Sequence, residues 1–420
     1  MASIAQLSAI LMENYSVPLQ NALNNTVTAL EIMKKTTVGW AGKRLVIPVH
    51  VGRNSGVKYS DSGTLPAAGN QGYIDLLVTA KKLYGTFQLD GDLMAAAEKG
   101  GKYAFVAAIT SEMEGLGEDT AVAANQALYS GGRFIGFLNQ AKTEAGAGTW
   151  EFSGDIKKLA QVIVDRGAAA AVSFVQLDTY AAIGGANTCD AVSIPALTVH
   201  LTAALDTTPV APGYGVAVWV SDADASLAYL DSQPQGIYGN LSSPTLFGQD
   251  RTTATGTPIL QSNIHTANQT GTQGKVAVAL TTIEGEFDAI EESSGKVPDL
   301  IMVHMTQRQK YVALMQATIQ TTLVNGATAK EFNGGSKERN QSYGDVAIKA
   351  DRHCGKGLAI FLKKDSWTLA ELRKGGFADE DGTVLLRVAG TDAFGGFWRW
   401  YYEQVCKLPN RNGIVHGLLG

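Results

Sequence analysis

The stretch KYAFVAAITSEMEGLGEDTAVAANQALY, residues 102–129, carries the longest helical pattern in this 420-residue sequence. Apolar or small side chains recur along it at alternating spacings of three and four residues, namely Val106, Ile109, Met113, Leu116, Thr120, Ala123 and Ala127. Such spacings predict one continuous buried face of an α-helix. At about 1.5 Å per residue this helix is roughly 40 Å long. Gly131 and Gly132 follow directly and predict its end.

An apolar arm opens the chain. Its first residues lack the basic start and the small-residue cleavage site of a secretory signal, so we interpret them as an arm that requires a partner. Leu19, Leu23 and Val27 recur on one face of a short amphipathic helix that is predicted over roughly 17–33. These three side chains are therefore candidates for contacts with that partner.

Two strand patterns and a long loop lie between the arm and the long helix. An apolar run over 44–51 predicts a strand, which Pro48 favours at a sheet edge, and 73–89 predicts the returning strand. The loop between them holds about twenty residues rich in Gly, Ser and Asn, which is more than a compact domain usually leaves without structure. Something outside the chain must therefore hold the loop. The loop side chains expected to make those contacts are Arg53, Lys58, Tyr59 and Leu65.

The sequence becomes β-rich after the long helix, over residues 145–228. Short alternating or apolar runs, separated by Gly, Pro, Asn and Asp, predict strands at 149–155, 171–178, 196–203 and 215–222. They indicate a small barrel or a sandwich. The run 155–167 fits a helix about as well as a strand.

The second half of the chain alternates helices and strands. Polar, turn-rich residues over 231–262 lead to an acidic helix at 281–294. A buried strand at 298–305 and a helix entered through Thr306 follow, and this order predicts an α/β layer. The last strands are predicted at 358–369, 383–390 and 396–408.

Composition limits the classes of function open to the chain. The length predicts two or three lobes or one elaborated architecture, and 45% hydrophobic residues without a bilayer-length apolar run predict a soluble, folded protein. The formal net charge of −5 argues against tight binding of nucleic acid phosphates. Cys189, Cys354 and Cys406 are odd in number and far apart, which argues against a disulfide framework or a cysteine-only zinc site and fits a reducing compartment.

Residues 349–357, KADRHCGKG, contain the side-chain types of a Cys/His nucleophile pair or a metal cluster, in Asp351, His353 and Cys354. Adjacent residues of a strand point to opposite faces, so His353 and Cys354 are not expected to meet, and a strand is the preferred interpretation. His304 stands alone in an apolar strand and is interpreted as structural.

Three other patterns are also interpreted structurally. The glycines of 129–137 follow a helix instead of a strand and no GxxxxGK[ST] motif occurs, which argues against nucleotide binding. Five carboxylates fit a solvated helix face better than paired catalytic acids, namely Glu284, Glu286, Asp288, Glu291 and Glu292. Five aromatic residues fit core and interface packing on both faces of a strand better than stacking on bases or sugars, namely Phe397, Trp398, Trp400, Tyr401 and Tyr402. The sequence predicts no catalytic, metal-binding or cofactor-binding residue.

The order of these parts resembles the Hong Kong 97-type capsid fold of tailed-bacteriophage major capsid proteins, which herpesvirus shells and encapsulin compartments share. The stretches that carry the resemblance are 42–56 with 72–89, 90–132, 236–251, 293–315, 365–369 and 383–420. They are similar to the family's extended loop, its short helix and long spine helix, its passage into the axial domain and its closing peripheral strands. The β-rich block departs from the family pattern.

The resemblance implies an α+β fold with seven divisions. These are 1–41, an N-terminal arm; 42–90, an extended hairpin loop; 91–144, the spine helix and start of the peripheral domain; 145–228, a β-rich inserted domain; 229–280, the passage to the axial domain; 281–376, the axial domain; and 377–420, the closing peripheral-domain strands. The sequence starts at the arm, without the helical prodomain of some members, so a separate scaffolding protein is expected. The inserted domain is expected to stabilise the subunit or to decorate the outer shell.

The function that the resemblance implies is structural and not enzymatic: a major capsid protein that assembles as hexamers and pentamers into an icosahedral head around double-stranded DNA. The candidate inter-subunit contacts are then Leu19, Leu23, Val27, Arg53, Lys58, Tyr59 and Leu65. Further expected partners are a portal at one vertex and a decoration protein, with DNA contacted weakly, no membrane and no cofactor. The expected location is the virion, after assembly in the cytoplasm of the bacterial host.

Two alternatives stay open. One is an encapsulin-like compartment shell that loads a protein cargo, and the more remote one is a cytoplasmic hydrolase with a β insertion. Some family members also join a hairpin lysine to a neighbour's asparagine by an isopeptide bond, and Lys58 lies near the loop tip. That reaction needs a carboxylate base in a dry site between subunits, and the sequence locates none.

Overall fold

A computed structural model describes residues 28–36, 40–60, 63, 65, 67–91, 102–139, 148–167, 169–203, 205, 214–221, 225–252, 258–268, 275–318, 341–343, 345–379 and 386–419. Within these ranges the chain is the α+β structure that the sequence predicts. The predicted arm helix lies mostly outside the described residues.

Six α-helices lie in the described ranges: α1 Thr28–Ile32, α2 Lys102–Ser130, α3 Ile156–Arg166, α4 Gly236–Ser242, α5 Leu280–Ser294 and α6 Met305–Thr318. Shorter 3₁₀ segments are Ala225–Ser232, Pro258–Leu260, Lys364–Ser366 and Pro409–Arg411. None of the helices described here is long and apolar enough to span a membrane.

The strands are β1 Lys35–Thr36, β2 Trp40–Ala41, β3 Arg44–Gly52, β4 Gly72–Val78, β5 Lys81–Asp90, β6 Phe134–Leu138, β7 Gly148–Gly154, β8 Ala170–Gln176, β9 Ala182–Ser193, β10 Thr198–Leu201, β11 Val216–Val220, β12 Thr245–Leu246, β13 Gln249–Asp250, β14 Asn263–Thr266, β15 Leu300–Val303, β16 Gln341–Tyr343, β17 Val346–Ala350, β18 Ala359–Leu362, β19 Trp367–Phe377, β20 Leu386–Arg387, β21 Ala393–Cys406 and β22 Gly413–His416.

The strands build four larger units and one small pair. The peripheral sheet has the order β1-β19-β21-β20, with β5 also paired to β21, and the hairpin sheet has the order β2-β3-β4. The barrel closes in the order β10-β7-β6-β11-β8-β9, and the axial sheet has the order β14-β22-β18-β15-β17-β16. Strands β12 and β13 pair with each other.

The predicted long helix is confirmed as α2, which we call the spine helix. Its buried residues near the C-terminal end are Thr120, Ala124, Asn125, Leu128 and Tyr129. Ala123 is exposed, so the predicted stripe is wrong over the last turns. The buried face is set by α1 and α4, because Leu30 N donates to Asn125 Oδ1 at 3.1 Å and the ring of Tyr129 packs 6.3 Å from that of Tyr238.

The spine helix ends against the barrel. Gly132 takes a left-handed φ of 62°, which ends the helical turn. Lys158, from α3, donates to the main-chain carbonyls of Ser130, Gly132 and Phe134, with distances of 2.6 Å to Gly132 and 3.0 Å to Phe134. A cation at the C-terminal end of a helix satisfies carbonyls that the helix itself leaves unpaired. Lys158 therefore joins the barrel to the end of the spine helix.

Replacing Lys158 with methionine is expected to lower the free energy of unfolding of the monomeric protein by about 2 kcal/mol at neutral pH, because the three carbonyls lose their donor. The effect also depends on pH. Burial lowers the pKa of Lys158 from 10.5 to about 8, so between these values the unfolded chain binds more protons than the folded one. The stability of the natural protein relative to the Lys158→Met variant should therefore rise as the pH increases from about 8 to about 10.5.

Urea denaturation of the monomeric protein at several pH values measures both effects. The matched control is Lys157→Met, the same change at the next position, where the side chain is exposed. That variant should stay within about 0.5 kcal/mol of the natural protein. Equal losses in the two variants, or a flat pH profile for the difference at Lys158, contradict the assigned role.

The returning strand predicted over 73–89 is in fact two strands, β4 and β5, in different sheets. Val78 at the end of β4 pairs with Leu45 in β3, whereas Lys81 at the start of β5 pairs with Tyr402 in β21. The chain crosses from the hairpin sheet to the peripheral sheet between them. Burial alternates along both strands, so the sequence pattern does not reveal the break.

Strand β21 carries the predicted aromatic run, and its rings lie on both faces of the peripheral sheet. Trp398, Trp400 and Tyr402 share one face, where the rings of Trp400 and Tyr402 stack with centroids 4.1 Å apart. Trp400 Nε1 donates to Glu371 Oε1 at 2.8 Å. Tyr401 points to the opposite face. Trp400 and Tyr402 are buried, so these two belong to the core.

The β-rich region forms the barrel, which was one of the two architectures predicted for it. Its interior is apolar and includes Ile135, Trp150, Phe152, Phe174 and Val218. Strand β6 follows the spine helix almost directly, so the barrel takes in residues ahead of position 145. The assignment of 145–228 as an inserted domain stays a prediction.

The run 155–167, which the sequence leaves open, is helix α3. Asp155 Oδ1 accepts from Lys158 N at 3.2 Å and so caps the first turn. Gly167 ends the helix with a left-handed φ of 67°. The buried side chains Ile156, Leu159 and Val162 face the barrel core.

The axial sheet contains the predicted buried strand as β15, whose four residues are all buried. Helix α5 covers this sheet with Ile283, Phe287 and Ile290, which gives the predicted α/β layer. Strand β22 pairs with β14 and β18 in this sheet, whereas the sequence placed 413–420 among the closing peripheral strands. Conversely, β19 lies in the peripheral sheet, although much of it falls within the range 281–376 that the sequence assigned to the axial domain. The sheet to which β19 or β22 belongs depends on pairing with strands far away in the sequence, and the local residue pattern does not show that pairing.

Candidate assembly surface

The inner face of the hairpin sheet is anchored to the rest of the subunit. Leu45 and Val78 pack against Ala370 and Val405 of the peripheral sheet. Further out, Val49 and Leu76 pack against the apolar residues Leu246 and Leu260. The root of the hairpin is therefore part of the folded core.

The outer face of the same sheet is exposed and largely apolar. Its cross-strand pairs are Val46 with Leu77, Pro48 with Asp75, and His50 with Tyr73. Val46, Leu77 and Tyr73 are exposed on one face of the sheet, and exposed apolar side chains that lie together often mark an interaction site. Strand β2 reaches only Arg44 and Leu45, so β3 is a sheet edge at Pro48, as predicted.

The loop between β3 and β4 places its predicted contact residues in solvent. Arg53, Lys58, Tyr59 and Leu65 are all exposed, with Tyr59 fully exposed and Leu65 89% exposed. Val57, which the sequence interpretation missed, is 84% exposed beside them. Within the described residues, these apolar groups are left uncovered.

The remaining predicted contact residues, Leu19, Leu23 and Val27, lie outside the described residues. The structure therefore brings the loop and the outer face of the hairpin sheet together as one exposed surface. We call this surface the hairpin surface.

Two glycine pairs form a narrow neck at the base of the loop. A Cβ atom on Gly72 would lie 3.0 Å from Gly52 Cα, and one on Gly69 would overlap Asn54 Oδ1 and Gly56 N. Asn54 Oδ1 accepts from Gly56 N at 2.7 Å in the same turn. The two sides of the loop thus approach more closely than side chains allow. The glycine clusters at both ends of the loop were a sequence signal for this neck.

The candidate nucleophile region, residues 351–354, is a turn and not the predicted strand. Asp351 is fully buried, where its Oδ2 accepts from Asn125 Nδ2 at 3.1 Å and its Oδ1 accepts from His353 N at 2.9 Å. The turn therefore brings Asp351 and His353 together and fixes them to the spine helix. The expectation of a strand failed because Asp351 pairs with a spine-helix residue far away in the sequence.

Cys354 lies apart from this pair in the core. Its Sγ is 3.8 Å from Tyr238 Oη and 3.9 Å from the Met302 carbonyl oxygen. Burial raises the pKa of the Cys354 thiol to about 12, so it is protonated at neutral pH and is not a nucleophile. Cys189 and Cys406 are also free and buried.

The acidic helix is α5, and one of its carboxylates contradicts the predicted solvated face. Glu286 is buried, and its Oε2 lies 2.7 Å from His265 Nδ1. Burial raises the pKa of Glu286, and the hydrogen bond with His265 opposes that shift. The other four carboxylates, Glu284, Asp288, Glu291 and Glu292, are exposed as expected. Glu286 was missed because its partner lies on β14, outside the helix.

His304 follows strand β15 and precedes α6, so it lies outside the strand in which the sequence placed it. Its Nδ1 accepts from Thr306 N at 3.2 Å and so caps α6. The helix begins at Met305, one residue before the predicted entry at Thr306. In the part of the chain that the structure describes, no group of three or more His, Cys, Asp or Glu side chains is placed to hold a metal ion.

Comparisons with known proteins identify the fold. The chain matches a subunit from the capsid asymmetric unit of cyanophage A-1(L) with a TM-score of 0.59 and 10% identity, over 99% of this chain and 98% of that one. It also matches a subunit from the capsid of an empty GTA particle with a TM-score of 0.50 and 8% identity, over 100% of this chain and 99% of that one. No family model and no curated protein matches the sequence.

At these identities the likeness is one of fold, and it extends over nearly the whole chain. The predicted tailed-phage capsid fold is thereby confirmed. The spine helix, the hairpin sheet and the two larger sheets are parts of this one fold.

Proposed function

We propose that this chain is the major capsid protein of a tailed bacteriophage, and that many copies close into an icosahedral head around double-stranded DNA. The observation that supports this function best is the hairpin surface. It presents apolar side chains without cover from their own subunit, on a chain with a capsid fold. Closed symmetric assemblies cover the same patch on every copy.

Because every copy of the chain repeats the same contacts, each contact can be weak in a stable shell. Burying a side chain the size of Tyr59 or Leu65 contributes about 1.5–3 kcal/mol. Every copy makes the same contacts, and each subunit is held by several neighbours at once, so the total stabilisation grows with closure. The proposed function therefore requires interlocking and no catalysis.

The remaining parts of the proposal concern assembly and partners. Subunits assemble as hexamers and pentamers in the host cytoplasm, with a separate scaffolding protein, a portal at one vertex and a decoration protein as partners. The formal net charge of −5 supports weak, nonspecific contact with packaged DNA, because a strongly basic wall binds phosphates tightly.

Electron microscopy of the purified full-length chain tests this function. We expect closed particles of uniform size, or hexamers and pentamers that close on addition of a scaffolding protein. A protein that stays monomeric at every concentration contradicts the proposal. Nuclease treatment of particles from infected cells distinguishes the two kinds of shell. DNA that is protected from the nuclease supports the phage head, and a protein cargo without DNA supports the encapsulin-like alternative.

We expect denaturing electrophoresis of mature particles to give a single band at the monomer mass of 44.3 kDa. An isopeptide bond at Lys58 needs a carboxylate that removes the ammonium proton in a site shielded from water. Lys58 is exposed and makes no ion pair with any carboxylate that the structure describes. A ladder of linked subunits that disappears in a Lys58→Arg variant contradicts this prediction and places the base on a neighbouring subunit.

A further inference from the structure

A polar cleft lies where the spine helix, the barrel and the axial sheet meet. It encloses about 370 Å³ and is lined by side chains from all three units. Among the lining residues are three cations, Lys157, Arg352 and Lys356, and two imidazoles, His304 and His353. We call this the basic cleft. It takes no part in the hairpin surface, which is built from residues 44–77.

The three cations form no ion pair with the carboxylates of the described residues. Lys157 is exposed at the rim, whereas Arg352 and Lys356 are half-buried. The chain has a formal net charge of −5, so its composition does not explain why three cations lie together in one cleft.

Two carboxylates belong to the same region: Asp155 lines the cleft, and Asp351 is adjacent to Arg352 in the chain. Asp155 accepts from Ser130 Oγ at 2.8 Å and from Lys158 N at 3.2 Å. Asp351 is fully buried and accepts from Asn125 and from the main chain of His353. These bonds come from neutral donors and do not cancel the carboxylate charges, so the cleft cations exceed the two carboxylates by three to two.

Charges of both signs act on the two imidazoles. Burial lowers the pKa of His304, Lys356 and Lys157 lower it further, and Asp351 opposes the shift. Burial also lowers the pKa of His353; Asp351 opposes this shift, and Arg352, whose Nε donates to His353 Nε2 at 3.1 Å, adds to it. Helices α3 and α6 both begin at the cleft, so their positive ends add to the field.

We infer that the basic cleft binds a phosphate-bearing anion. A phosphate group offers several charged oxygens, which matches cations that converge from two sides of the cleft, Lys157 from the barrel and Arg352 with Lys356 from the axial side. The volume lies in the range of small-ligand pockets, about 300–1,000 Å³, and so admits a nucleotide-sized ligand. The inference goes beyond the shell function, because it rests on the cleft residues alone.

Isothermal titration calorimetry of the full-length protein tests the inference with three probes: inorganic phosphate, a deoxynucleoside monophosphate and a short single-stranded oligonucleotide. The test variant combines Arg352→Gln with Lys356→Gln. The matched control is Lys296→Gln, together with Lys349→Gln, two exposed lysines that do not line the cleft. Thermal melts of both double variants establish that they remain folded.

Saturable binding with about one site per subunit is expected for the natural protein and for the control. The affinity should fall at least about tenfold in the cleft variant, because hydrogen bonds to charged groups are lost. Binding of the two small probes identifies a free phosphate ligand, and binding of the oligonucleotide alone identifies the DNA backbone. Equal affinities in the cleft variant and the control, or no binding of any of the three probes, overturn the inference.

Discussion

Replacing both Tyr59 and Leu65 with serine is expected to leave the subunit folded and to prevent formation of closed shells. Both side chains are exposed in the single subunit, so their removal takes nothing from its core. Surface substitutions of this kind usually change the free energy of unfolding by less than about 0.5 kcal/mol. In the proposed shell we expect a neighbour to bury the same side chains, and each would then contribute about 1.5–3 kcal/mol to that contact.

The loss of two such side chains weakens each contact by at least about a hundredfold, since every 1.4 kcal/mol is a factor of ten in an equilibrium constant. Sedimentation velocity at a series of protein concentrations measures the effect on assembly. We expect the natural protein to form large particles at concentrations where the Tyr59→Ser, Leu65→Ser variant remains as small species. Urea denaturation of both proteins should give the same midpoint.

A matched control is Val164→Ser, which removes an exposed apolar side chain from the outer face of the barrel helix α3. This variant should assemble like the natural protein, because Val164 is not part of the hairpin surface. Normal shells from the loop variant would show that the loop is not an assembly contact. Loss of assembly in the Val164→Ser variant as well would show that any reduction in surface hydrophobicity has the same effect.

The sequence predicted those parts of the fold whose evidence is local. The spine helix was visible because apolar spacings of three and four persist through most of residues 102–130. The strand at Leu300–Val303 was visible because it is a short, continuous apolar run. The exposed loop was predicted from its length and composition. A segment of about twenty polar and glycine-rich residues is longer than a compact domain usually leaves without secondary structure.

The sequence did not predict features that depend on partners far along the chain. Alternation is the same in β4 and β5, and only pairing with β3 and β21 shows that they belong to different sheets. From the sequence alone Glu286 is predicted to lie on the solvated face of its helix. Only the structure shows that His265 lies beside it. The turn at 351–354 depends on Asn125, more than two hundred residues earlier.

The sequence predicted only part of the candidate assembly surface, because the other part depends on strand pairing. Arg53, Lys58, Tyr59 and Leu65 follow from the loop alone. The apolar outer face of the hairpin sheet requires the register that aligns Val46 with Leu77 and His50 with Tyr73. A shift of one residue would turn these side chains into the core, so their exposure is a property of the pairing and not of the individual strands.

Replacing Arg251 with methionine is expected to lower the free energy of unfolding of the unassembled subunit by about 3 kcal/mol. Arg251 comes from a segment that the sequence describes as polar and turn-rich, yet its side chain is fully buried. It donates to the main-chain carbonyls of Asn240 and Leu241 at the C-terminal end of α4, and its guanidinium lies 5.4 Å from the centre of the Tyr180 ring.

The expected loss has two sources. The Asn240 carbonyl loses a charged donor at the buried end of α4, where water does not replace it. The Tyr180 ring loses the cation that it faces. The Leu241 carbonyl is less affected, because it also accepts from Tyr180 Oη at 3.1 Å.

Urea denaturation compares this variant with Arg44→Met, the same change at an exposed position in the hairpin sheet. We expect the control to stay within about 0.5 kcal/mol of the natural protein. An Arg251→Lys variant should fall between the two, because an ammonium group keeps the charge but lacks the planar guanidinium that reaches two carbonyls and covers a ring. Equal stability of Arg251→Met and Arg44→Met would show that Arg251 fills space without holding the end of α4, and that the cation is dispensable to the fold.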